Sequence, residues 1–219
     1  MPLTAEERDG LDLLLNESVL LDAELDPGRC LLGLTFYVEM IPERGERATE
    51  DLYLQLLLHG IGRLAVSFRQ GASWLDRSAR LEQLELDELG AALGRIHYPD
   101  AIYGRRFFDV PGAREFTPWR DLVSVEFTAQ DYDETEEAGL HTLTVWSDEL
   151  ELGRDREQRL FFDLWAWFER VSIRDRLEQP VELSEAIAAS RRYWDAVRQR
   201  GSGGPSPYPA PHVRIPLPG

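Results

Sequence analysis

The amino-acid sequence predicts a mainly β protein of the α+β class. We expect an antiparallel β-sandwich or open barrel with a short N-terminal helix and a longer C-terminal helix. Apolar residues alternate with period two in several segments, one pair of these segments flanks a tight-turn sequence, and the clearest helical patterns lie near the two ends. We expect one β-rich domain over residues 1–200, followed by a Gly/Pro-rich tail over 201–219.

The first helix is predicted in the segment TAEERDGLDLLLN. Thr4 and Glu7 have the spacing of a capping box, in which each side chain accepts a hydrogen bond from a backbone amide at the helix start. Gly10 lowers the helix propensity of this segment.

A β-hairpin is predicted around Asp26-Pro27-Gly28-Arg29. Proline presets φ for the turn, and we expect Gly28 to take the positive φ that follows. The strand after the turn alternates, which places two sets of residues on opposite faces. These sets are Leu32, Leu34, Phe36, Val38 and Met40 on one face, and Thr35, Tyr37 and Glu39 on the other.

The middle of the chain predicts further strands. DLYLQLLLHGIGRLAVSFRQG is two strands, or one strand bent at Gly60 and Gly62. LEQLELDELGAALGRI is partly helical, and AIYGRRFFDV, RDLVSVEFTA and GLHTLTVWSDELEL are strands. We expect the last two to form a hairpin with the acidic loop QDYDETEEA at its tip.

The segment RLFFDLWAWFERVSIRDR, from Arg159 to Arg176, fits both a strand and a helix by periodicity. Its aromatic and β-branched content favours strand. One predicted face carries Phe162, Leu164, Ala166 and Phe168, and the other carries Phe161, Asp163, Trp165, Trp167 and Glu169.

IGRLAVSFR (61–69) and FERVSIRD (168–175) share a pattern of apolar, arginine and small residues. This similarity suggests tandem β-units at about residues 18–75 and 100–178. Short strands also acquire such a similarity by chance.

PVELSEAIAASRRYWDAVRQRG predicts the C-terminal helix, which Gly201 ends. The following segment GSGGPSPYPAPHVRIPLPG is predicted to be extended, either as a linker or lying along the domain. If it docks, Tyr208 and Ile215 are the expected anchors.

The net charge of −16 disfavours binding to nucleic acid or to an anionic membrane surface. It favours a basic protein partner, or serves solubility alone. No apolar run approaches the roughly 20 residues of a membrane span, and the first residues lack the order of a signal peptide. We therefore expect a soluble cytoplasmic protein.

All 24 basic residues are arginine, a usage that GC-rich codons explain and that suggests a bacterial source. The absence of lysine excludes Schiff-base chemistry and the P-loop lysine. The single cysteine, Cys30, excludes an internal disulfide and a multi-thiolate metal site. The four histidines form no ligand pair, so no metal or cofactor is predicted.

Asp163 and Glu169 are the candidate catalytic residues, because they are the acids within the aromatic strand and tryptophans line sugar sites. Trp165 and Trp167 are candidate binding residues for the same reason. The competing interpretation is that both tryptophans fill or border a core while Asp163 is ion-paired or exposed.

Two further groups are candidate binding residues. Tyr103, Arg105 and Arg106 have the chemistry to clamp a carboxylate or phosphate, or to pair with acids on neighbouring strands. The acidic loop offers carboxylates to a basic partner or to calcium, or is a solvated turn. Its acids are Asp131, Asp133, Glu134, Glu136 and Glu137.

The sequence GIGRLA resembles the spacing of a dinucleotide-binding loop, but the strand-like pattern after it disfavours that interpretation. The sequence therefore favours a non-catalytic binding or interaction module. The alternatives are a small-ligand carrier with an apolar barrel lumen and a carboxylate-dependent hydrolase.

Overall fold

The computed structural model describes residues 3–16, 18–41, 53–71, 78–94, 105–109, 121–132, 140–151, 159–200 and 213–219. Their strands form two antiparallel sheets, which confirms the predicted mainly β fold. Sheet 1 contains β1 (Val19–Asp26), β2 (Leu31–Tyr37), β3 (Tyr53–His59), β10 (Arg170–Asp175) and β11 (Pro180–Val181), in that order. Sheet 2 has the order β5 (Arg80–Leu81), β4 (Arg63–Gly71), β9 (Arg159–Phe168), β8 (His141–Glu151) and β6 (Arg105–Asp109), and β7 (Val125–Thr128) pairs with β4.

The helices of the described chain are α1 (Ala5–Leu14), α2 (Leu89–Gly94) and α3 (Leu183–Arg200), with a 3₁₀ turn at Leu86–Glu88. The short N-terminal and longer C-terminal helices are as predicted. Thr4 and Glu7 form the predicted capping box of α1. None of the described helices is long and apolar enough to cross a membrane.

Among the described strands, the chain crosses between the two sheets at two places. It passes from β3 to β4 through Gly60–Gly62, and from β9 to β10 through Glu169. The crossings are adjacent because β3 pairs with β10 in sheet 1 and β4 pairs with β9 in sheet 2. The registers end at His59 opposite Arg170 and at Arg63 opposite Trp167. The boundary between two strands that the sequence predicts at Gly60 and Gly62 is therefore the place where the chain passes from sheet 1 to sheet 2.

The strand orders of the two sheets correspond. Sheet 1 reads β1-β2-β3-β10-β11, and sheet 2, read from its other edge, is β6-β8-β9-β4-β5. In sheet 1, β1, β2 and β3 from the first half of the chain are followed by β10 and β11, the last two strands of the second half. In sheet 2, β6, β8 and β9 from the second half are followed by β4 and β5, the last two strands of the first half. The tandem-unit interpretation stays a prediction.

The main core lies between the two sheets and draws alternate residues from each. Leu34 and Phe36 from sheet 1 pack in the same apolar cluster as Phe68 and Phe162 from sheet 2. The predicted face of β9 that carries Phe162, Leu164, Ala166 and Phe168 is confirmed, because all four residues belong to this cluster. All seven residues of β2 are buried, so both of its faces are covered.

The turn between β1 and β2 is confirmed, but the position of its positive φ was predicted wrongly. Cys30 has φ +46°, whereas the described glycine with positive φ is Gly60. The Asp26 carboxylate accepts hydrogen bonds from the backbone and side-chain nitrogens of Arg29. This contact holds the start of the loop, so the left-handed residue comes directly before β2.

The predicted hairpin of the seventh and eighth strands is wrong. Strand β7 pairs with β4, whereas β8 lies between β6 and β9. Alternation identifies a half-buried strand but does not specify its neighbour. Because β7 ends beside the start of β4, Asp131 is placed near the crossings between the sheets.

Candidate functional site

An open cleft of about 320 Å³ lies where the chain crosses between the sheets. Its lining includes the Gly60–Gly62 segment, Cys30, Asp131, Tyr132 and Glu169. The lining residues come from five separate parts of the sequence, which strand pairing brings together beside the two adjacent crossings.

Backbone hydrogen bonds fix the walls of the cleft. The Ile61 amide donates to the Cys30 carbonyl at 2.9 Å, and the Gly62 amide donates to the Trp167 carbonyl at 3.0 Å. The amide of Glu169 donates to the His59 carbonyl at 3.0 Å. The cleft is therefore built on strand ends rather than on a free loop.

The two glycines allow neighbouring side chains to approach the backbone closely. Gly60 has φ +65°, and a Cβ there would lie 2.6 Å from the Glu169 carboxyl carbon. A Cβ at Gly62 would lie 2.5 Å from the Tyr132 ring. Arg63 begins a strand, not a helix, so these glycines do not open the helix N-terminus that a dinucleotide-binding loop requires.

Two of the predicted acids meet in this cleft. Asp131 and Glu169 are both exposed and both line it, although 37 residues separate them in sequence. Among the described residues, neither is found in an ion pair. An open cleft with two carboxylates and a tyrosine ring has the chemistry to hold a cation.

Asp163 has a different environment from Glu169. Its Oδ2 lies 2.5 Å from Nη2 of Arg69, and the two side chains are 1% and 0% exposed. Burial lowers the pKa of Arg69, and the charge of Asp163 opposes that shift. Asp163 is not among the residues that line the cleft. The structure therefore does not bring the two candidate catalytic acids into one open site.

Trp165 and Trp167 are buried, at 4% and 0% exposed, and form a small second cluster with Ala65. The Arg63 guanidinium lies 5.4 Å from the centre of the Trp167 ring and pairs with Glu126. These tryptophans pack on the face of sheet 2 opposite the main core.

Of the remaining candidate residues, two lie in a described strand and five lie outside the described residues. Arg105 and Arg106 lie in β6, opposite Val145 and Thr144 of β8. Residues outside the described ranges are Tyr103, Asp133, Glu134, Glu136 and Glu137.

The described histidines have structural partners. His59 Nε2 lies 2.8 Å from the Ser172 hydroxyl, and burial and the charge of Arg170 lower the pKa of His59. His141 Nε2 accepts a hydrogen bond from the Leu3 amide at 2.8 Å. Within the described ranges, no group of three or more metal-ligating side chains occurs.

Sequence reasoning missed Cys30 and Tyr132 as lining residues. Cys30 opens an apolar run, which favours a buried position, and Tyr132 carries no periodic signal because it follows β7 in a turn. The sequence feature that could have identified Tyr132 is its position directly after Asp131, a candidate binding residue.

Comparison with protein-family models, with curated proteins and with solved structures finds no match for this chain.

Proposed function

We propose that this protein is a non-catalytic binding module of the bacterial cytoplasm that recognises a basic partner protein. The observation that carries the proposal is the open cleft in which Asp131, Glu169 and Tyr132 meet. In this proposal, a cationic side chain of the partner enters the cleft.

The electrostatics favour a cation over an anion at this place. Two carboxylates attract a guanidinium or ammonium group, and a tyrosine ring adds a cation–π contribution. The net charge of −16 extends the attraction beyond the cleft and disfavours nucleic acid. The volume of about 320 Å³ suits one side chain or a small head group.

The carrier and hydrolase alternatives have less support. The inward faces of the sheets meet in a cluster that includes the fully buried Phe36, Phe68 and Phe162, so side chains occupy the place of a barrel lumen. For the hydrolase, Asp163 is ion-paired and buried away from Glu169.

The test uses blocked arginine (N-acetylarginine amide) as the probe and its neutral analogue, blocked citrulline, as the ligand control. We expect chemical-shift changes in the amides around the cleft with arginine but not with citrulline. The double variant Asp131→Asn/Glu169→Gln should weaken arginine binding by at least about tenfold, because it removes both charge-assisted contacts.

The matched control is Asp9→Asn/Glu182→Gln, which changes the net charge equally at exposed positions outside the cleft. It should retain wild-type affinity. If both double variants lost the same affinity for arginine, the overall charge of the protein, and not the cleft, would account for binding. No binding by the wild-type protein would contradict the cleft proposal.

The predicted acidic loop is tested separately. Neutralising Asp131, Asp133, Glu134, Glu136 and Glu137 should barely change stability, because the sequence predicts a solvated loop and exposed charges contribute little. The variant should associate more slowly with a hexa-arginine peptide at low salt, and added calcium should not change the melting temperature of the wild type. A wild-type association rate would remove the loop from the proposed surface.

A further inference from the structure

Residues 213–219 lie against the outer face of sheet 1, where they contact β1, β2, β3 and the first turn. None of the residues of this extended segment joins a β-ladder. Ile215 is 2% exposed, whereas Arg214 and Pro216 are exposed. One apolar side chain is thus inserted into the surface, and its neighbours face outward.

Side chains of sheet 1 and of its first turn hold the main chain of this segment. Gln55 Nε2 donates a hydrogen bond to the Ile215 carbonyl. Arg29 Nη1 donates to the Pro218 carbonyl at 2.6 Å. Both contacts hold backbone carbonyls, so they do not depend on the side chains of the segment.

An acidic pair holds the arginine of the segment. Arg214 Nη2 lies 3.0 Å from Glu24 Oε1, and Arg214 Nε lies 3.7 Å from Asp22 Oδ2. Both acids belong to β1. The surface therefore combines an apolar site for one residue with a carboxylate pair for the arginine that precedes it.

Two features of the sheet shape this surface. Arg174 Nε donates to Gln55 Oε1 at 2.6 Å, which orients the amide that meets the segment. Gly33 leaves room for Leu217, because a Cβ there would lie 2.7 Å from Leu217 Cδ2. A pre-oriented donor beside space for an apolar side chain suits recognition of a peptide.

The contacts are also of a kind that another peptide can replace. Within the segment, Ile215 is the one buried residue, and no ladder hydrogen bond ties the segment to the sheet. Residues 201–212 connect it to α3, and their sequence GSGGPSPYPAPH has the composition of a linker. Such a tether raises the effective concentration of the segment without adding contacts.

We propose that the outer face of sheet 1 is a docking surface for an extended segment of a partner protein, in which an arginine is followed by an apolar residue. Residues 213–219 occupy this surface in cis as a competing ligand. The partner segment displaces them and makes the same contacts with Glu24, Gln55 and Arg29. This surface is separate from the crossover cleft, so each proposal stands or fails alone.

The first experiment measures binding of an acetylated and amidated VRIPLPG peptide by fluorescence polarisation. In the full chain, Ile215→Asp should release the cis segment, because a buried carboxylate without a partner is unfavourable. We expect this variant to bind the peptide at least about tenfold more tightly than the wild type, where the cis segment competes at an effective millimolar concentration.

The matched control is Pro216→Ser in the same segment, since Pro216 is exposed and should leave the surface closed. A peptide in which glutamate replaces the arginine should bind more weakly, and added salt should reduce this difference. A folded Ile215→Asp protein that does not bind the peptide would overturn the proposal.

A second experiment covers the case in which Ile215→Asp does not fold. A protease site placed within residues 202–207 allows the connection to be cut after folding, with the segment intact. Exchange of the cut segment for labelled peptide supports displacement, whereas retention without exchange shows an integral part of the fold. A wild-type dimer that dissociates when the segment is deleted would place the segment on a second copy and overturn the partner assignment.

Discussion

Arg69 and Asp163 form an ion pair inside sheet 2, with Nη2 and Oδ2 2.5 Å apart and both side chains almost fully buried. They lie on adjacent strands, since Ser67, two residues before Arg69, is opposite Asp163 in the register of β4 and β9. Asp163 is therefore a structural counter-ion on the tryptophan-bearing face of β9.

We expect Asp163→Asn to lower the free energy of unfolding by about 3–5 kcal/mol, because it removes the carboxylate charge that pairs with a buried guanidinium. Arg69→Met/Asp163→Leu should recover most of this loss, since it removes both charges. The measurement is urea denaturation of the wild type, Asp163→Asn and the double variant.

The control is Asp195→Asn, which breaks an equally short but exposed pair with Arg198. It should change stability by less than about 1 kcal/mol. An Asp163→Asn protein as stable as this control would show that the buried pair is not a determinant of stability.

In the first turn, fewer residue types should be tolerated at Cys30 than at Gly28, because Cys30 has φ +46°. We expect Cys30→Gly to be more stable than Cys30→Ala by about 1 kcal/mol, since both lose the thiol and only glycine avoids the left-handed penalty. Cys30→Val should be less stable than either, because a β-branched residue resists positive φ.

Gly28→Val is the comparison for this turn. The nearest heavy atom to a Cβ at Gly28 is Asp26 Oδ1 at 3.4 Å, and Gly28 is exposed. We expect a change of less than about 1 kcal/mol in thermal and urea unfolding. If Gly28→Val proved more damaging than Cys30→Val, the assignment of the left-handed position would be contradicted.

The stability of the protein should depend on pH through His59. Burial, followed by the charge of Arg170, lowers its pKa from the ordinary value of 6.5. The unfolded chain therefore binds a proton at His59 more readily than the folded chain, so stability falls as pH decreases below about 6.5. The loss is complete once pH is below the lowered folded-state pKa.

His59→Gln removes this titration while leaving the other groups in place. The difference in unfolding free energy between wild type and variant, measured from pH 8 to pH 5, should shift in favour of the variant as pH falls. A difference that stays constant over this range would show that His59 does not contribute to the pH dependence.

Local signals predicted the elements that depend on neighbouring residues in sequence. The Thr4–Glu7 capping box forms as expected, because both of its hydrogen bonds lie within one helical turn. The two faces of β9 were also predicted correctly, since alternation along a strand places Phe162 and Trp165 on opposite sides.

The same signals failed where the answer depended on a distant segment. The alternation of β7 did not indicate that β4, rather than β8, is its neighbour. The sequence grouped Asp163 with Glu169, but the chain changes sheet at Glu169, so one acid is buried beside Arg69 and the other lines the cleft.

The sequence by itself determined the class of the fold, the helix at each end, the first turn and the negative charge, because each follows from composition or from contacts within a few residues. Only the tertiary structure decided the partners: Arg69 for Asp163, Asp131 and Tyr132 for Glu169, and the outer face of sheet 1 for Ile215. The physical reason is that strand pairing and sheet packing bring together residues far apart in sequence, and periodicity carries no information about which strands become neighbours.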